Sequence, residues 1–87
     1  DFLFKGILTL DSVEECYSFF EDLCTVAELQ EMSKRLLAAK MLRENYIYTE
    51  IAEKTGLSTA TISRVNRCLK YGSDGYMTVL DRLERSK

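Results

Sequence analysis

The 87-residue sequence predicts an all-α fold of about six helices organised around a helix-turn-helix. Three observations predict it. The chain has no Pro and only four Gly, so little in it interrupts a helix. Apolar residues recur at three- and four-residue spacing through most of its length. In the stretch 48–70, YTEIAEKTGLSTATISRVNRCLK, an Ala, a Gly and a short polar run stand where two helices joined by a tight turn need them.

A first short helix is expected over 1–8, with Phe2, Leu3, Ile7 and Phe4 on its apolar side and Thr9-Leu10-Asp11 as a break. Ser12 opens the second helix. Ser12 and Glu15 have the spacing of a capping box, in which each side chain satisfies a backbone N–H of the other's turn. Val13, Cys16, Tyr17 and Phe20 follow at helical spacing, and Phe19 and Leu23 widen the stripe. Thr25 and Glu28 repeat the box ahead of a long helix over 26–45. Its stripe is Leu29, Met32, Leu36, Ala39 and Leu42, broadened by Leu37, Ala38 and Met41, and the two alanines allow another helix to approach closely.

In the helix-turn-helix, Ile51 faces the core and Ala52 is small because the second helix crosses there. Gly56 ends the first helix, since the turn needs a positive φ. Leu57 plugs the core, Ser58 or Thr59 caps the next helix, and Ile62, Val65 and Leu69 form its buried stripe. Ile47 and Tyr48 give the first helix no clean cap, so Thr49 is an alternative start. The patch 71–76, YGSDGY, reads as a turn rather than a nucleotide loop. A last helix over 73–86 covers the core with Met77, Leu80 and Leu83, with Tyr71 and Tyr76 at the core edge or a dimer contact and Arg82, Arg85 and Lys87 as a solvated face. The whole chain 1–87 is read as a single domain, with 1–24 as N-terminal helices for packing or dimerisation.

Charge is divided unevenly. Residues 1–31 hold one Lys against eight Asp and Glu, or −7; residues 32–87 hold eleven Lys and Arg against six acids, or +5. An acidic front and a basic remainder fit an N-terminal packing element joined to a reader of double-stranded DNA. Ala60, Thr61 and Arg64 are the candidates for base contacts. Arg64 can span guanine O6 and N7, and Thr61 offers a hydroxyl and a methyl. Ala60 serves either as a small surface at the groove or for helix propensity. Ser58, Thr59, Ser63, Arg67 and Lys70 are candidates for the phosphate backbone, which sets register.

Other classes fit less well. There is no His, and nothing presents a nucleophile beside its base, so neither a catalytic residue nor a metal site is expected. Cys16, Cys24 and Cys68 are an odd number at wide spacing and read as small apolar core residues. No run approaches the roughly 18 apolar residues of a membrane span, and the chain reads as cytoplasmic. Because it does not open on Met, an upstream piece is expected to have been removed or to lie outside it. The remaining alternatives are a helical protein-interaction module and a non-specific architectural DNA-binding module.

ECYSFFEDLCT (15–25), KRLLAAKMLRE (34–44) and EIAEKTGLSTATISRVNRCLKYGSDGY (50–76) resemble the tryptophan-repressor superfamily, with ATISRVNRCL and the following YGSDGY most similar to its YerC/YecD-type branch. The resemblance covers nearly the whole chain. It implies an intertwined homodimer in which N-terminal helices of one subunit pack into the other. The two recognition helices then face successive major grooves of a palindromic operator, as for a repressor. It also implies a candidate pocket for a small-molecule co-repressor, tryptophan in the repressor itself, at Thr61 and Arg64 with Lys34 or Arg35. Here Cys68 replaces a serine of that pocket and Leu57-Ser58-Thr59 changes the turn. No co-repressor is therefore the leading expectation, ahead of tryptophan or another small ligand.

Overall fold

The computed structural model describes residues 1–86. It contains six helices: α1 (Phe2–Ile7), α2 (Val13–Leu23), α3 (Val26–Arg43), α4 (Tyr48–Thr55), α5 (Thr59–Tyr71) and α6 (Gly75–Arg85). They form two compact units, Asp1–Glu31 and a second that begins at Met32. No described helix is long and apolar enough to cross a membrane.

The first unit is ordered locally. Ser12 caps α2 by accepting the Glu15 N–H at 3.1 Å. The expected reciprocal bond is displaced by one residue, because Glu15 Oε1 accepts the N–H of Asp11, at 2.7 Å, rather than that of Ser12. At α3 the box is complete: Glu28 N–H donates to Thr25 Oγ1 (3.1 Å) and Thr25 N–H to Glu28 Oε1 (2.9 Å). Hydrogen bonding from the Thr25 backbone N–H, and then from its hydroxyl, holds the Glu28 carboxyl below its ordinary pKa of 4.5. Phe19 and Phe20 meet edge to face, ring centroids 5.3 Å apart. Yet no residue of 1–31 is buried, and Phe2 and Leu8 are 93% and 84% exposed.

The second unit owns the core. Ala38, Ala39 and Met41 of α3, Ile51 of α4, Leu57 of the turn, Ile62, Val65 and Leu69 of α5 and Leu80 of α6 are buried together. Leu36, Leu42, Tyr48, Ala52 and Tyr76 pack at its edge. The buried side of α3 is thus narrower than its apolar pattern, since Met32 and Leu37 are exposed. Of the residues expected to cover the core from α6, only Leu80 is buried; Met77 and Leu83 are exposed, as is Tyr71. The three cysteines are also not core: Cys16 and Cys68 are exposed and Cys24 is half-buried. Cys68 sits on the outward side of α5, between the buried positions Val65 and Leu69. Arg82 and Arg85 are solvated as expected, and Lys87 lies outside the described residues.

Helix ends are set by side chains and by positive φ. α3 stops at Arg43, two residues early, because Asn45 adopts φ 69°. Asn45 N–H then bonds Leu42 O and Tyr46 N–H bonds Met41 O, both at 3.0 Å, the pair of bonds that closes a Schellman motif. α4 starts at Tyr48, not later: Glu50 Oε1 accepts the Ile47 N–H at 3.2 Å, so Thr49 is not its cap. Between α3 and α6, Arg43 Nη2 lies 2.6 Å from Asp81 and 3.0 Å from Glu84.

Candidate nucleic-acid interface

The geometry around α5 follows from its sequence. Ile62, Val65 and Leu69 recur at three- and four-residue spacing and are all buried, which fixes one side of the helix against the core. Everything between them faces outward. Thr59, Ala60, Ser63, Arg64, Arg67, Cys68 and Lys70 are exposed, and Thr61 and Asn66 are half-buried. The helix therefore presents a low-profile first turn of small side chains, then Arg64, then Arg67 and Lys70 along its length.

The start of α5 is well defined. Ser58 is its N-cap, and its Oγ accepts the Thr61 N–H at 3.1 Å. The Ser58 hydroxyl in turn donates to Thr61 Oγ1 at 3.0 Å. One lone pair of Thr61 is thus used within the protein. Ser58 holds the Thr61 hydroxyl in place.

The turn before α5 is built by Gly56 and Thr55. Gly56 caps α4 with φ 77°, and its N–H bonds Ala52 O at 2.8 Å. Thr55 is buried, donates its hydroxyl to Ile51 O (2.7 Å) and accepts the Leu57 N–H (3.1 Å). Sequence reasoning passed over Thr55. The signal was its place in the buried register of α4, four residues after Ile51.

Electrostatics favour an anion at this surface. Between Glu53 and Asp74 there is no acidic residue, while Lys54, Arg64, Arg67 and Lys70 lie in that interval. The positive end of the α5 dipole points out of its first turn. A run of short side chains, a helix N-terminus and a line of cations suit a polyanion with a groove better than a small acid.

The five candidate pocket residues come from α3 and α5. Thr61, Arg64 and Cys68 share one side of α5 by their three- and four-residue spacing, and Lys34 (exposed) and Arg35 (half-buried) belong to α3. A groove of about 320 Å³ in the second unit is lined instead by Lys40, Arg43, Glu44, Leu80, Leu83 and Glu84. A shallower one in the first unit lies along Leu10, Glu14, Phe19 and Asp22. None of the five lines either groove. Among the described residues, no cluster of His, Cys, Asp and Glu suits a metal ion.

Comparison with known proteins places this geometry in context. The family model for the Trp repressor protein matches residues 1–84. The uncharacterized protein YerC of Bacillus subtilis (strain 168) is 54% identical over 87 residues, covering 100% of this chain and 84% of that protein. A TrpR-like protein from Eubacterium eligens ATCC 27750 superposes with a TM-score of 0.92 at 58% identity, over 94% of this chain and 84% of that one. A candidate Trp repressor from Staphylococcus aureus gives 0.90 at 55% identity, over 94% and 82%.

Proposed function

Because the chain belongs to the Trp repressor family, we propose that it is a sequence-specific, double-stranded DNA-binding transcriptional regulator rather than an enzyme, acting as a homodimeric repressor on a palindromic operator. The observation that carries this reading is α5: a helix locked by three buried residues whose outward side is acid-free, cationic and capped by small polar side chains. Its N-terminal half enters the major groove. Arg64 makes the bidentate contact to a guanine, while Ala60 and Thr61 face the neighbouring base edges. Ser58, Thr59, Ser63, Arg67 and Lys70 hold phosphates and set the register.

The dimer is supported by the first unit, whose apolar side chains are unburied within one chain. A second copy covers them and sets two recognition helices roughly 34 Å apart, one turn of DNA. Repression is steric, since so small a protein offers little surface for recruiting polymerase. A DNA target places its work in the bacterial cytoplasm. No co-repressor is required: Cys68 is a poorer hydrogen-bond partner than the serine it replaces, and Arg64 is committed to the bases.

Binding titrations on duplex DNA at one fixed salt concentration test these roles. Arg64→Ala should lose about 1–3 kcal/mol of discrimination between a preferred and a scrambled site. Lys70→Ala should weaken both sites alike and lower the salt slope by about 1. Discrimination that survives Arg64→Ala would remove Arg64 from the bases.

A further inference from the structure

Thr55 is the one polar or charged side chain in the buried class among the described residues. It is the last residue of α4, directly before the turn, where a valine would fill about the same volume. The structure uses its hydroxyl twice, as donor to Ile51 O in the last turn of α4 and as acceptor from the Leu57 N–H beyond Gly56. Both bonds use the hydroxyl within its capacity. From these two bonds we infer that Thr55 is the positioning residue of the DNA-reading helix. This inference rests on the DNA-binding reading above.

The physical chain is short. Gly56 leaves α4 in the left-handed region, and its own N–H is satisfied by Ala52 O. Leu57 follows, a core plug with a buried N–H, and the next residue is the N-cap of α5. Where the Leu57 backbone sits, Ser58 begins, and from Ser58 the direction of α5 is set by the Ser58–Thr61 bonds. Thr55 anchors that origin to α4. Without its hydroxyl, the Leu57 N–H is either buried without a partner or reaches water by opening the turn. In the open form the helix keeps its buried stripe, but its first turn no longer meets the bases in register. Base readout needs that register, whereas non-specific attraction to phosphates does not.

The test uses the full chain with Thr55→Val and Thr55→Ser, each assayed well below its melting midpoint. Two readouts are taken: exchange of the Leu57 amide in the free protein, and affinity for a selected duplex and a scrambled one at fixed salt. The expected result for the valine variant is Leu57 exchange faster by about tenfold with Gly56 still protected. Affinity for the selected duplex should fall by about tenfold, with scrambled binding and salt slope unchanged. Serine, which keeps the hydroxyl, should restore both readouts. If valine does not fold, Thr55→Ala removes the same hydroxyl and carries the same readouts. Fast Leu57 exchange with intact discrimination overturns the inference, as does unchanged Leu57 exchange. A wild type that binds neither duplex sinks the DNA-binding reading instead, and is told apart because the Leu57 readout needs no DNA.

Discussion

Residues 1–31 and the residues that follow are both helical and both amphipathic in sequence, yet all nine buried apolar residues fall between Ala38 and Leu80. The first unit has two well-made caps and an aromatic pair, but buries nothing fully. The second has two helix starts without a capping side-chain bond, at Ile47 and Asp74, and a buried core. Caps and periodicity make a helix; a second apolar surface makes a core. The unit with caps alone is the acidic one, and the unit with a core is the basic one that carries α5. This division of labour is what the proposed function requires: a reading head rigid by itself and another half completed by a second copy.

The largest effect that tests this contrast is in the core. Ile62→Ala or Ile51→Ala removes a side chain with 0% exposure and should cost about 2–5 kcal/mol in urea unfolding. A loss under about 1 kcal/mol would deny the second unit its tight core. Next, Phe4→Ser combined with Tyr17→Ser should shift the protein from dimer toward monomer in sedimentation equilibrium while leaving the Ile62 environment unchanged by NMR. Unaltered association would mean that these exposed residues are not the dimer surface. Cap loss comes third: Ser58→Ala should cost about 1 kcal/mol and fray the first turn of α5 in amide exchange. Arg43→Met should cost under about 1 kcal/mol, because Asp81 and Glu84 are largely solvated.

The smallest effect is one of pH in the first unit. The Glu28 carboxyl is held down by its bonds from Thr25, so its folded pKa lies below the unfolded one. The stability it adds is present above its ordinary pKa of 4.5 and is lost as pH falls through the folded value. Protection of the Thr25 amide, relative to the unstructured exchange rate at the same pH, should therefore fall on acidification below that point, and Glu28→Gln should remove the dependence.

Much of this was legible in the residues. Gly56, Leu57 and the stripe Ile62, Val65 and Leu69 were readable because each position in a helix-turn-helix has one physical demand. Other features depended on geometry that spacing does not carry. The cysteines look like core residues by type, but Cys16 and Cys68 point outward. The apolar stripes of α1, α2 and α6 said that something should cover them without saying what. Asn45 signals the end of α3, since Asn tolerates the left-handed turn, but that turn takes up two residues of the expected helix, which stops at Arg43. Thr55 was hidden because a polar residue in a buried register reads as a mild misfit until its two partners are seen.

Selection from random duplex DNA by the full protein is the decisive test of dimeric, sequence-specific recognition. Two inverted half-sites spaced about one helical turn apart should be enriched without any added ligand, and Arg64→Ala should lose the enriched guanine. A folded protein that enriches no sequence, or only single half-sites, would contradict such recognition.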